Sequence, residues 1–213
     1  MKKFFSVFLV LLLLGVSAGL FAGGQGEGGG NVTFYMNNGS EPESLDPALI
    51  SGVPEHRIYM NLFEGLVIYD PKTADVIPGV AESWTVSADG TVYTFKLRDC
   101  YWTDGVKITA QTVVDSWLRI LNPDTAAPYS WFPGMIIKGA AAYNEGSAGP
   151  ESVAIKALDE KTFRMELAGP IPYALGMLAH YAFAIFPMHA IAKYGTDWTL
   201  PENFVGNGPF ILK

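Results

Sequence analysis

The chain has 213 residues and one cysteine, Cys100. No intrachain disulfide can form, so the fold has to rest on its core. Cys100 lies in an aromatic stretch and reads as a small core residue. A lipoprotein signal needs a cysteine at its cleavage point, and none stands near the amino terminus. Histidine is also scarce. His56, His180 and His189 stand in no metal-ligand spacing with each other, with Cys100 or with a carboxylate. No serine sits in a nucleophile elbow, since "EGSAG" lacks the first glycine at the right spacing. The Gly-rich stretch "GGQGEGGG" has no Gly-Lys-Ser/Thr after it and no strand before it, which removes a phosphate loop. Charge is sparse as well: 16% of residues, with a net charge of −7. An acidic surface argues against nucleic acid and anionic membrane as partners.

Long apolar runs are missing too. Residues 4–16 are apolar apart from Ser6 and Gly15, which is shorter than the roughly 20 residues a membrane span needs. Lys2 and Lys3 precede the run. Val16-Ser17-Ala18 and Leu20-Phe21-Ala22 follow as possible cleavage sites. This is the order of a secretory signal peptide, assigned to residues 1–22, with a retained anchor as the alternative. Its removal takes the formal charge from −7 to −9. Residues 23–30 read as a flexible tether.

The remainder is rich in core-forming residues, with 49% apolar and 13% aromatic over the whole chain. "NVTFYM" reads as a strand. The loop "NNGSEPESLDPALISG" follows, broken by Pro42 and Pro47. Its three carboxylates, Glu41, Glu43 and Asp46, read as a solvated loop rather than a cation site. Asn38-Gly39-Ser40 is a formal glycosylation sequon, a pattern that chance also produces. Pro54 and Glu55 open a helix. Ile58, Tyr59, Leu62 and Phe63 form its apolar face, and Gly65 is expected to end it. On that helix His56 reads as a surface residue. His180, in an apolar run, reads as a hydrogen-bonded core histidine.

Further on, "LVIYD" reads as a short buried strand. "ESWTVSADGTVYTFKLR" is a hairpin turning at Ala88-Asp89-Gly90. Thr109 is placed to cap a helix whose inner face holds Val113, Trp117 and Ile120, and Asn122-Pro123 stops it. "VAIKALDEKTFRMEL" is a second hairpin turning at Asp159-Glu160. "PYALGMLA" and "PMHAIAKYG" read as short helices. In "TAAPYSWFPG", Tyr129, Trp131 and Phe132 stand between Pro128 and Pro133. They either offer rigid faces to a ligand or plug an edge of the core. "VGNGPFILK" reads as a turn followed by the start of a strand. The irregular alternation of helix and strand points to an α/β fold with a mixed sheet.

Four segments carry a wider pattern: "NNGSEPESLDPALISGVPEHRIYMNLFEGL", "GVAESWTVSADGTVYTFKLR", "WTDGVKITAQTVVDSWLRILNPDTAAPY" and "GNGPFILK". Each alone is common. In this order they resemble the extracytoplasmic solute-binding proteins that serve oligopeptide and dipeptide ABC transporters, the oligopeptide-binding members above all. The resemblance runs over residues 37–213.

It implies a periplasmic-binding-protein-like lobe with a mixed sheet and an inserted α/β subdomain. Residues 31–213 would be the amino-terminal lobe, with 65–185 as the insert and 31–64 and 186–213 as the lobe proper. A second lobe, bearing the charged groups that meet the peptide termini, would follow Lys213. The chain is therefore expected to be an amino-terminal portion, whose residues 31–213 alone bind peptide very weakly or not at all.

The resemblance also implies oligopeptide binding for import. The location would be the periplasm, the partner an ABC permease in the inner membrane, and the state a monomer without catalysis, cofactor or metal. Ser51, Gly52 and Val53 would pair their backbone with an extended peptide, and the Tyr129 ring or hydroxyl would face it. A murein peptide, a nickel complex or a sugar in the same fold is the neighbouring alternative. A secreted hydrolase is the alternative of another class.

Overall fold

The computed structural model describes residues 33–213. The signal peptide and tether assigned to residues 1–30 lie outside them, as does the start of "NVTFYM". The chain divides into two units, Met1–Asn37 and Asn38–Lys213. In the first, residues 33–36 are not in a strand. β-propensity describes how well a residue fits a sheet; without a ladder it makes no strand.

The second unit opens with the proline-bearing loop and runs into helix α1, Val53–Leu62, with a proline in its first turn. This helix stops earlier than Gly65. Phe63 is already extended, because Glu64 is held by a side chain far along the chain. Asn207 Oδ1 accepts from the Glu64 N–H at 2.9 Å, and Asn207 Nδ2 donates to the Glu64 carbonyl at 2.9 Å. One side chain thus completes both backbone groups of Glu64, as a neighbouring strand would.

Strands β1 (Val67–Tyr69) and β2 (Val76–Pro78) form an antiparallel pair with Ile68 opposite Ile77. A four-stranded sheet follows, built from β3 (Ala81–Val86), β4 (Val92–Leu97), β5 (Ile155–Ala157) and β6 (Thr162–Glu166). Its order is β3-β4-β6-β5. Every pairing between these named strands is antiparallel. Both hairpins read from the sequence are present. In β4, Tyr93, Phe95 and Leu97 alternate inward, opposite Phe163 and Met165 of β6. This is the two-residue period of a half-buried sheet.

Helix α2, Ala110–Leu121, covers that inner face. Thr109 caps it and forms a reciprocal box with Thr112. Trp117 packs edge-on against Phe163, with ring centroids 5.0 Å apart. The same helix is fastened to residues 183–186. Trp117 Nε1 donates to the Phe183 carbonyl at 3.0 Å, and Ser116 Oγ accepts from the Phe186 N–H at 2.8 Å. Short helices α3 (Trp131–Ile136), α4 (Ala140–Asn144), α5 (Ala174–Leu178) and α6 (Met188–Tyr194) complete the unit. Among the described residues no helix is long and apolar enough to cross a membrane.

Asp46 departs from the solvated-loop reading. It is only 4% exposed. Its Oδ1 accepts from Arg119 Nη1 at 3.0 Å and from the Ala48 N–H at 2.9 Å. Its Oδ2 accepts from Arg119 Nη2 at 2.5 Å and from Trp198 Nε1 at 3.3 Å. The Arg119 guanidinium also lies over the Phe186 ring, 5.0 Å from its centroid. Four donors make the burial of this carboxylate tolerable and tie the loop to α2 and to the segment near Trp198.

The strand expected at residues 210–212 is absent, and Phe210 and Ile211 are exposed. The preceding turn is anchored instead to the end of α1. The N–H groups of Asn207 and Gly208 donate to the Leu62 carbonyl, and that of Phe210 to the Asn61 carbonyl. Cys100 is buried, and burial pushes its thiol pKa up, in keeping with a core residue.

Candidate functional site

Ser51 and Gly52 lead directly into α1, and Val53 is its first residue. Ser51 is exposed and Val53 is 63% exposed. Gly52 is the N-cap residue, extended at φ −114° and ψ 169°. Its carbonyl accepts from the His56 N–H at 3.1 Å, and its own N–H faces the Glu55 carboxylate. The Glu55 side chain folds back over the helix start and accepts from the Glu43 N–H at 2.9 Å. That bond, followed by those from the Glu55 and Gly52 backbones, holds its pKa below the usual carboxylate range. A Cβ on Gly52 would collide with Glu55 Oε2, so a larger residue there would push the Glu55 carboxylate off the helix start.

Ser51 precedes the cap, and Val53 opens α1, where the N–H groups of the first turn have no partner within the helix. Gly52 points inward to the cap. Among the described residues, the N–H and C=O of Ser51 and the N–H of Val53 have no partner. The edge therefore offers two residues to an outside chain and uses the third internally.

Tyr129 stands where the loop after α2 approaches α3. Its ring lies 5.2 Å from Tyr181, edge-on, 5.3 Å from His180 and 5.8 Å from Trp131. Tyr181 in turn lies 5.5 Å from His56 of α1. A chain of rings thus joins Tyr129 to the helix that Ser51, Gly52 and Val53 introduce. Burial, then the hydrogen bond with Tyr129, pushes the Tyr181 phenol well above its ordinary pKa, so it stays protonated. Trp131 is 52% exposed, whereas Phe132 turns inward and meets His180 edge-on at 5.1 Å.

Two histidines belong to this cluster. The His180 Nδ1 accepts from the Ala182 N–H at 3.1 Å, as a hydrogen-bonded interior histidine should. Burial, helped by nearby His56, pushes its pKa down to about 4. His56 is half-buried rather than a surface residue, and burial lowers its pKa as well. Both rings are uncharged at neutral pH. Their place beside Tyr129 was not readable from spacing; the available signal was that His56 follows Val53 by three residues, on the same side of the helix start.

Beside the rings lies a cavity of about 570 Å³. His56 and Phe63 line one side, Tyr69 another, and Phe132, Met177 and His180 close it. Ser51, Gly52, Val53 and Tyr129 do not line it. The third histidine, His189, lies elsewhere and pairs with Asp104 at 2.7 Å. Among the described residues no group of three or more His, Cys, Asp or Glu side chains is placed to hold a metal. Open main-chain groups at a helix start are suited to recognition of a chain-like ligand.

The chain as a whole is similar to known proteins. Residues 75–213 match the family described as "Bacterial extracellular solute-binding proteins, family 5 Middle". The periplasmic oligopeptide-binding protein OppA of Escherichia coli is 44% identical over 183 residues, covering 85% of this chain and 33% of that protein. The periplasmic murein peptide-binding protein MppA of the same organism is 41% identical over 176 residues, covering 81% and 32%. Among solved structures, the oligopeptide-binding protein OppAIV of Borrelia burgdorferi superimposes with a TM-score of 0.79 at 46% identity, covering 81% of this chain and 35% of that one. The chain thus spans about a third of the length of the curated relatives it matches.

Proposed function

Since the chain belongs to family 5 of the bacterial extracellular solute-binding proteins, we propose that it contributes to binding oligopeptides for import by an ABC transporter. The observation that carries this reading is the family match over residues 75–213 together with the similarity to oligopeptide-binding proteins. The periplasm is the proposed location, reached through a signal peptide at residues 1–22, and the permease of an ABC importer is the proposed partner. Residues 65–185 are proposed as the subdomain inserted in the lobe.

The peptide would lie extended along the edge formed by Ser51 and the first residue of α1, Val53. Ser51 would exchange both its backbone groups with the ligand, and Val53 would donate its N–H. Gly52 contributes by holding the cap and keeping the edge straight. Tyr129 would set one aromatic face against the ligand. Main-chain pairing is blind to side-chain identity, which favours a broad range of sequences. Each such bond contributes about 1 kcal/mol net. Two or three of them on one wall give at best a millimolar-range complex.

The test is titration of the 213-residue chain, labelled with nitrogen-15, with trialanine up to about 50 mM. The amides of Ser51 and Val53 are expected to move in a saturable way, and Val53→Pro, which removes one donor, is expected to weaken the effect several-fold. Saturable shifts confined to other regions, or none at all, would remove the proposed edge. A murein peptide is a second ligand worth the same titration, given the similarity to the murein peptide-binding protein.

A further inference from the structure

We propose that the cavity between α1, β1 and α5 is a second binding site, for a neutral and largely apolar molecule about the size of two or three fused or linked rings. Its volume, about 570 Å³, falls within the roughly 300–1,000 Å³ of known small-molecule sites. No Asp, Glu, Lys or Arg lines it. An ionic guest would have to shed water there without gaining a counter-charge, and the lining selects against it.

The walls are aromatic or thioether: Tyr59 and Phe63 on one side, Phe132 and Met177 on the other. Such surfaces accept flat apolar rings and adapt to their outline. His56 lines the cavity, but its Nδ1 is buried out of reach of a guest; the rim is the better-defined feature. At the mouth, Tyr69 Oη donates to the Gly176 carbonyl at 2.6 Å. This bond fixes the rim by joining β1 to α5. Tyr173, 70% exposed, stands at the same opening. The site does not depend on the peptide reading, because none of the residues assigned to the peptide lines it.

The test compares two fluorophores on the full 213-residue chain at pH 7. N-phenyl-1-naphthylamine is neutral, whereas 8-anilinonaphthalene-1-sulfonate carries similar rings with a negative charge. The neutral probe is expected to bind saturably, one per chain, and at least tenfold more tightly than the anion. Gly176→Leu, which sends a side chain toward Tyr69, is expected to weaken the neutral probe at least tenfold while the circular dichroism spectrum stays unchanged. Met177→Lys places a cation in the lining and is expected to reverse the preference toward the anion, a result that unfolding does not produce. Equal binding of the two probes would show a bare sticky surface and overturn the proposal. So would absence of binding, or sedimentation showing that a second copy of the chain covers the opening and excludes the probe.

Discussion

Replacing Asp46 with alanine tests how the loop before α1 is held. The carboxylate receives four donors: two from Arg119, one from the Ala48 backbone and one from Trp198. The Arg119 side chain is 17% exposed and that of Asp46 is 6% exposed, so neither charge has water to fall back on. Removing one partner of such a pair leaves the other buried without compensation, which costs about 3–5 kcal/mol. In a unit of this size each kcal/mol moves the melting temperature by about 2–4 °C. Asp46→Ala is therefore expected to melt roughly 6–20 °C below the parent chain by circular dichroism. Arg119→Met keeps the stem against Phe186 and removes the charge. Combined with Asp46→Ala, it should cost at least about 2 kcal/mol less than the sum of the two single changes, because the double variant buries no lone charge. A single variant within about 1 kcal/mol of the parent, or strict additivity of the two, would refute this account of the pair.

Three further outcomes are expected. His180 is held neutral by burial, with its pKa near 4 against an ordinary 6.5, so the unfolded chain takes up more protons below pH 6.5. Stability is thus fully present above that value and is lost as pH falls toward 4, by on the order of 1–2 kcal/mol once partial exposure is allowed for; His180→Asn, which keeps an acceptor for the Ala182 N–H, should flatten urea midpoints measured from pH 7 to 4.5. Gly208→Ala puts a Cβ within 2.6 Å of the Phe63 nitrogen. It should cost about 1–3 kcal/mol by overpacking, and an unchanged urea midpoint would count against that close approach. Thr109→Ala removes the reciprocal cap of α2 and should cost about 1 kcal/mol in the same assay.

What was legible in the sequence was local. The two hairpins and the Thr109 cap announce themselves within a few residues, and the structure contains all three. Asp46 shows the limit. Its loop looks solvated because Arg119 and Trp198 lie 73 and 152 residues away. The early stop of α1 has the same origin, in Asn207. Residues 210–212 have strand-like composition, but a single backbone bond from Phe210 to Asn61 is no ladder. In the candidate site, pattern alone left Tyr129 open between ligand face and core plug. Resemblance supplied Ser51, Gly52 and Val53, while the ring contacts through Tyr181 and His56 emerge only in three dimensions.

The pairing of Asn207 with Glu64 also bears on the order of folding. These residues are 143 apart in the chain, whereas Arg98 and Glu64 are 34 apart. Each doubling of a closed loop adds about 0.6 kcal/mol of entropy loss, so the longer closure costs about 1.2 kcal/mol more. Contacts of such sequence separation form slowly. The hairpin of β3 and β4 can assemble early from neighbouring residues, while the end of α1 waits for a segment synthesised much later. During that interval Glu64 has only water for its two backbone groups, and the last turn of the helix is free to fray. The polypeptide therefore stays unlatched at this end of α1 until Asn207 arrives.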